Sequence, residues 1–216
     1  MDGEAVMNGW PEAYTARRYL VVLGDSVAEG QNDPDPAGGW IGWAGRLADA
    51  LGLPRAHVAN AARPGATIAD VVRDQLPAVR HLRPGLVVIN CGMNDALNGF
   101  QNADVADRLE EVFGWSRAMG AAAIAAPVPH PPLLDRGLMS EFRKKRVRQR
   151  IHEFNDALAR STKASGMTFL SPEAVPRVDH PSLWSADGIH LNSDGHAYVA
   201  EVIADIARDL LSERTI

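Results

Sequence analysis

The chain has 216 residues, 46% of them hydrophobic and 23% charged, which is the composition of an ordinary globular domain with a full-sized core. Its formal net charge of -5 gives no general attraction to nucleic acid or to an anionic membrane surface. The single cysteine, Cys91, excludes an internal disulfide framework and a multi-cysteine metal site. Residues 1–18 lack the basic-then-apolar pattern of a signal peptide, and no apolar run approaches the ~20 residues of a membrane span. We therefore expect one cytoplasmic domain over 1–216, with an N-terminal extension at 1–18.

Short apolar runs alternate with longer amphipathic segments along the chain. The runs predict strands at 19–24, 58–62, 86–90, 122–126 and 167–170. The amphipathic segments predict helices at 40–51, from Thr67 to about Pro77, at 103–119, at 140–164, and from a cap at Asn192 or Ser193 to about Leu211. This alternation predicts an α/β fold with a parallel, doubly wound sheet and helices on both faces.

The first strand runs directly into the turn Gly24-Asp25-Ser26. Ser26 would emerge at the carboxyl end of a buried parallel strand, where open α/β sheets bind their ligands. It could equally be the N-cap of the helical turn that follows. This stretch alone leaves both interpretations open.

A second candidate for chemistry is the segment from Asp187 to His190 near the C-terminus. A serine hydroxyl is a weak nucleophile at neutral pH, so it needs an imidazole to accept its proton and a carboxylate to orient the ring. Asp187 and His190 carry both groups across a turn that contains glycine. An isolated pair of this kind is more often a surface or helix-capping feature, and together with Asp194 and His196 it would suggest a metal site instead, an interpretation we regard as the weaker one.

Acyl transfer also needs hydrogen-bond donors where the carbonyl oxygen becomes negative. Three donors lie at predicted strand ends: the backbone N–H of Ser26, the backbone N–H of Gly65 and the side-chain amide of Asn94. Each has a simpler structural explanation, because Gly65 suits a turn and Asn94 suits a helix cap. Taken one at a time, the simpler explanations are favoured.

The order of these motifs resembles the four sequence blocks of the SGNH (GDSL) hydrolases. The blocks are Gly24-Asp25-Ser26, then Asn60 with Gly65, then Gly92-Met93-Asn94-Asp95, and finally Asp187-Gly188-Ile189-His190. The resemblance spans about 20–202. It implies a three-layer α/β/α sandwich, flavodoxin-like, whose five-stranded parallel sheet has the order 2-1-3-4-5.

The resemblance also implies roles for individual residues. Ser26 would be the nucleophile, His190 the base and Asp187 the group that orients it, while Ser26, Gly65 and Asn94 would form the oxyanion hole. The expected protein is a serine esterase that hydrolyses small-molecule carboxylic esters through an acyl-enzyme, with no metal or organic cofactor and no nucleic-acid partner. A thioesterase or acyltransferase on the same scaffold and a non-catalytic binding protein are the alternatives. The intact serine, aspartate and histidine argue against the last of these.

Overall fold

The computed structural model describes residues 19–136 and 138–213, so the predicted extension at 1–18 lies outside the described residues. One sheet of five parallel strands has the order β2-β1-β3-β4-β5, which confirms the predicted order. Its strands are β1 (Tyr19–Gly24), β2 (Val58–Asn60), β3 (Pro84–Asn90), β4 (Ala122–Ala126) and β5 (Thr168–Phe169).

Helices connect the strands and cover both faces of the sheet. They are α1 (Ser26–Glu29), α2 (Gly42–Ala50), α3 (Ile68–Asp70), α4 (Leu76–Val79), α5 (Met93–Asn98), α6 (Asn102–Ala118), α7 (Leu133–Arg136), α8 (Glu141–Ala164) and α9 (Ser193–Glu213). A π-helical turn (Val71–Gln75) joins α3 to α4, and short 3-10 turns lie at Arg55–His57, Pro172–Ala174 and Pro181–Leu183. Within the described ranges, no helix has the length and apolar character needed to cross a membrane.

Side chains alternate between the two faces of the central strands, as the period of a strand requires. On β1, Leu20 and Val22 pack with the layer that contains α2 and α9, whereas Val21 and Leu23 pack with the layer that contains α6 and α8. All four are fully buried. The continuous apolar runs of the sequence therefore reflect strands covered on both faces, and the predicted three-layer sandwich is confirmed.

The second strand is shorter than its apolar run predicts and ends at Asn60 rather than at residue 62. The Asn60 side chain accepts a hydrogen bond from Ala62 N–H at 3.0 Å and donates one to the carbonyl of Ala28 at 2.9 Å. These side-chain bonds shape the backbone where the strand ends. The N–H groups of Ala61 and Arg63 still donate to the carbonyls of Val22 and Gly24 on β1. Helix α5 (Met93–Asn98) is not among the predicted helices and begins inside the third sequence block.

The predicted helix after Thr67 forms, but it contains an unexpected π turn. Thr67 caps it through a capping box with Asp70, as the sequence indicates. The π turn widens the helix immediately before Pro77, whose ring would clash with the carbonyl four residues earlier in a regular α-helix. The helix thus continues past the proline to Val79.

Candidate active site

The turn after β1 presents Ser26 at the carboxyl end of the sheet, on the first residue of α1. Asp25, not Ser26, caps this helix, because its carboxylate accepts the Val27 N–H at 3.0 Å. The turn needs glycine at position 24, where φ is 151° and a Cβ would lie 2.0 Å from the carbonyl oxygen of Asn90. The Ser26 hydroxyl is therefore free of a capping role.

Ser26, His190 and Asp187 form one hydrogen-bonded chain although they are far apart in sequence. The Oγ atom of Ser26 lies 2.8 Å from Nε2 of His190, and Nδ1 of His190 lies 2.8 Å from Oδ2 of Asp187. Because the carboxylate can only accept, Nδ1 carries the ring proton and Nε2 is left to accept the serine proton. The His190 side chain is 14% exposed, so a small molecule can reach it while most of the ring is shielded.

Asp187 is held as a carboxylate by several donors. The N–H groups of Ile189 and His190 both donate to its Oδ1 at 3.0 Å. Partial burial raises the pKa of Asp187, but these two backbone bonds and the His190 ring outweigh it and lower the pKa to about 2. The Asp187 group is therefore charged at neutral pH.

Asn32 also belongs to this arrangement, although it was not predicted as a site residue. Its Nδ2 donates to Oδ2 of Asp187 at 3.0 Å, from a loop 155 positions earlier in the chain. Asn32 has φ of 72°, which makes it the one non-glycine residue with positive φ among the described residues. Asparagine tolerates this left-handed conformation better than most residues. An Asn-Asp pair in a Pro-rich loop was the available signal, but it does not point to a distant carboxylate.

The predicted donors Gly65 and Asn94 lie on neighbouring segments, Gly65 in the turn after β2 and Asn94 in the first turn of α5. Residues 63–66 form a turn of type II character, with the Ala66 N–H donating to the carbonyl of Arg63 at 3.2 Å and Gly65 at φ of 77°. The Gly65 position is open, since a Cβ there would meet nothing within 4 Å. Asn94 donates from Nδ2 to the carbonyl of Ala66 at 3.0 Å, which leaves the second N–H of its amide available.

This turn is also bonded to the turn Gly24-Asp25-Ser26, the serine turn, because the Arg63 N–H donates to the carbonyl of Gly24 at 3.1 Å. Within the described part of the chain, the backbone N–H groups of Ser26 and Gly65 have no hydrogen-bond acceptor. Ser26, Asn94 and His190 together line a small cleft of about 40 Å³, which is also bordered by Trp184.

A glutamine on the π turn holds the serine turn through two hydrogen bonds to Gly24. Gln75 is buried, and its side chain accepts the Gly24 N–H at 2.9 Å and donates to the Gly24 carbonyl at 2.8 Å. Gln75 was likewise not predicted as a site residue. Its signal was present, because Gln75 occupies an apolar position in the stripe that contains Val71 and Leu76.

Two buried carboxyl groups lie next to the cleft. Burial raises the pKa of Asp25 to about 7, with a further contribution from the nearby Asp95 carboxylate. Burial likewise raises the pKa of Asp95 to about 6, although the Ile68 N–H donates to it. Cys91 is buried beside them, and its thiol pKa is raised well above the ordinary value by burial and by both carboxylates. Cys91 is therefore a small core residue and not an activated nucleophile.

His196 was a ligand in the alternative prediction of a metal site. Both of its ring nitrogens are hydrogen-bonded to protein groups. The backbone N–H of Trp43 donates to Nδ1 of His196 at 3.2 Å. The ring proton is therefore on Nε2 of His196, which donates to the carbonyl of Gln31 at 3.0 Å. The ring is fully buried, at 0% exposure, and packs in the first turns of α9. His196 thus anchors the loop after α1 to the last helix.

Comparison with known proteins places this chain in a family. Residues 22–198 match the GDSL-like Lipase/Acylhydrolase family. An arylesterase of Vibrio mimicus is 25% identical over 195 residues, which cover 89% of each chain. A crystal structure of TesA superposes with a TM-score of 0.67 at 26% identity, covering 89% of this chain and 99% of that one. The psychrotrophic esterase EstA of Pseudoalteromonas sp. shares the fold with a TM-score of 0.66 at 18% identity, over 90% of this chain and 99% of its own. The chain belongs to the GDSL-like lipase/acylhydrolase family and is a carboxylic ester hydrolase.

Proposed function

We propose that the enzyme hydrolyses esters through an acyl-enzyme on Ser26, with His190 as the general base and Asp187 as the group that orients the ring. The observation that carries this proposal is the unbroken chain of 2.8 Å contacts from Ser26 Oγ through His190 to Asp187. A serine hydroxyl becomes an effective nucleophile when a neutral imidazole nitrogen lies within hydrogen-bond reach and a carboxylate fixes the other nitrogen.

In the proposed first half-reaction, Ser26 Oγ forms a bond to the acyl carbon as His190 Nε2 takes the serine proton. The carbonyl oxygen becomes an oxyanion, which the N–H groups of Ser26 and Gly65 and the amide of Asn94 would stabilise. The bond to the alcohol oxygen then breaks, and the imidazolium returns its proton to the leaving oxygen. A free alcohol departs, and the acyl group remains on the serine.

The second half-reaction reverses the roles with water. His190 accepts a proton from a water molecule whose oxygen forms a bond to the acyl carbon. The bond between that carbon and Ser26 Oγ breaks, the proton returns to the serine oxygen, and a carboxylic acid is released. Asp187 stays ionised throughout, in keeping with its low pKa of about 2.

We infer that the substrates are small-molecule esters of carboxylic acids. The similarity to a Vibrio mimicus protein named as an arylesterase favours aryl esters as the first test compounds. A phenolic leaving group also departs easily, so an aryl ester reports acylation with few further demands on the site.

The test compares Ser26→Ala with Ser212→Ala, a matched change at an exposed serine near the end of α9. We expect Ser26→Ala to lose hydrolysis of p-nitrophenyl acetate and covalent labelling by a fluorophosphonate, while its circular dichroism spectrum and melting temperature stay close to those of the unmodified protein. Ser212→Ala should keep both activities. Hydrolysis at the normal rate by folded Ser26→Ala would overturn the proposal.

A further inference from the structure

A larger cavity, of about 310 Å³, adjoins the small cleft that contains Ser26. Val27, Val128 and Pro129 line both spaces, so the wall beside the serine is also a wall of the larger cavity. Val128 is held in place by Asn155 of α8, whose side chain bonds the Val128 N–H and carbonyl at 2.9 Å each. The boundary between the two spaces is therefore formed by apolar side chains and by backbone that Asn155 holds in place.

The floor of the cavity is apolar and its rim is polar. The floor is formed by the buried side chains of Leu170, which follows β5, of Leu191, which precedes α9, and of Ile203 on α9. His152 and Asp179 are exposed and stand at the rim. An apolar interior with a few polar groups at its mouth is the usual form of a site for an apolar small molecule or group.

The chemistry of the proposed reaction decides which half of an ester fits such a space. The alcohol must leave from the side of His190, and the same position must then admit water for the second half-reaction. The acyl group, in contrast, stays attached to Ser26 through both steps and gains from an enclosed apolar wall. The larger cavity borders the serine through Val27, the next residue, and so suits the part of the substrate that remains bound.

We propose that this cavity binds the apolar acyl group of the substrate, which makes the enzyme selective for esters of medium-length or aromatic carboxylic acids. The inference rests on the proposed function of Ser26. An engineered cavity of about 150 Å³ holds one benzene molecule, so this space accepts an acyl chain of roughly eight carbons or a bicyclic aromatic group. Each buried methylene should raise kcat/KM by about fourfold at most until the cavity is full.

The experiment uses the full chain and p-nitrophenyl esters with acyl groups of two to ten carbons, which share one leaving group. Val199→Phe adds volume to the cavity wall. Val202→Phe is the control, because it makes the same change at a half-buried position of α9 that does not line the cavity. We expect Val199→Phe to lower kcat/KM for the octanoyl ester by about tenfold or more and to leave the acetyl ester within about twofold. Val202→Phe should keep the profile of the unmodified enzyme. Val178→Phe, on the loop side of the same cavity, repeats the test away from the helix.

A second series keeps the acetyl group and lengthens the alcohol, with acid release as the readout. If Val199→Phe and Val178→Phe impaired long alcohols and spared long acyl groups, the cavity would hold the alcohol and the inference would be wrong. An unchanged acyl profile in both variants, with hydrolysis still abolished by Ser26→Ala, would overturn the inference alone. Hydrolysis that does not depend on Ser26 would instead overturn the proposed function and, with it, this assignment of the cavity.

Discussion

Gln75 gives the sharpest test of how the fold positions the serine, because it touches neither Ser26 nor a substrate. Strand β2 ends before it reaches Gly24, so no neighbouring strand supplies an acceptor for the Gly24 N–H. Gln75 Oε1 accepts that hydrogen bond instead. Replacing Gln75 by Leu leaves this buried N–H without an acceptor. The Gly24 carbonyl keeps the bond from Arg63.

The expected loss of stability follows from this single Gly24 N–H, which has no acceptor in the variant. An unsatisfied buried N–H costs about 1–3 kcal/mol, which lowers the melting temperature of a domain of this size by roughly 2–12 °C. Relaxation of the serine turn by even ~1 Å would lower kcat by up to about 10²-fold. We expect Gln75→Leu to show both effects with little change in KM, and to label slowly with a fluorophosphonate. Gln149→Leu, at an exposed position of α8, is the matched control.

Gln75→Glu separates positioning from general destabilisation. A protonated Glu can reproduce both bonds to Gly24, whereas an ionised one turns a carboxylate oxygen toward the Gly24 carbonyl. Burial raises the pKa of such a carboxyl. The ratio of variant to unmodified kcat should therefore fall as the pH rises, measured from about pH 5 to 9 and well below either melting temperature. A kcat of Gln75→Leu equal to that of the unmodified enzyme, or a ratio for Gln75→Glu independent of pH, would refute the positioning argument.

Three further changes test the rest of the site. Asn94→Ala should lower kcat by ~10²–10³ with little effect on KM, because its amide would contact the developing oxyanion; a change confined to KM would contradict this role. Asn32→Gly keeps the left-handed backbone and removes only the bond to Asp187, so kcat in steady-state assays should fall by about tenfold, far less than the loss of up to about 10⁴-fold expected for Asp187→Asn. Asp25→Asn should flatten the pH dependence of stability. Because the pKa of Asp25 is raised to about 7 in the folded state, its contribution is fully present below the unfolded value near 4 and is lost as the pH rises through about 7. Urea unfolding should therefore show the variant more stable at pH 8, by up to about 4 kcal/mol, and no such gain at pH 4. If the free energy of unfolding changed with pH in the same way for both proteins, the raised pKa of Asp25 would be refuted.

The sheet was predictable because its strands are buried on both faces. Such strands appear as continuous apolar runs, and Gly or Pro marks their ends. The edge strands were the exceptions, since β2 and β5 are shorter than their runs. Both strands lie at an edge of the sheet, where only one neighbouring strand holds the backbone extended.

The residues of the hydrogen-bonded chain were predictable for a different reason. Ser26, Asp187 and His190 each lie in a short motif whose order along the chain is distinctive, and the carboxyl ends of parallel strands meet at one edge. Asn32 had no comparable signal, and the signal of Gln75, a polar residue in an apolar stripe, did not show which group it bonds. Asn32 acts through a left-handed turn in a loop, and Gln75 acts through a π turn, and neither local conformation follows from periodicity or propensity.

The two halves of the site are held by different kinds of contact. Apart from the two bonds of the Gln75 side chain, the serine half is fixed by backbone, because the Asp25 N–H donates to the Asn90 carbonyl at 3.3 Å and the Gly24 carbonyl accepts from Arg63. The histidine half meets it through side chains, in the bonds of His190 to Ser26 and of Asn32 to Asp187. Backbone contacts of the first kind survive most side-chain changes, whereas those of the second kind depend on single residues. Changes that alter activity without altering stability should therefore concentrate in the loops that carry Asn32 and His190.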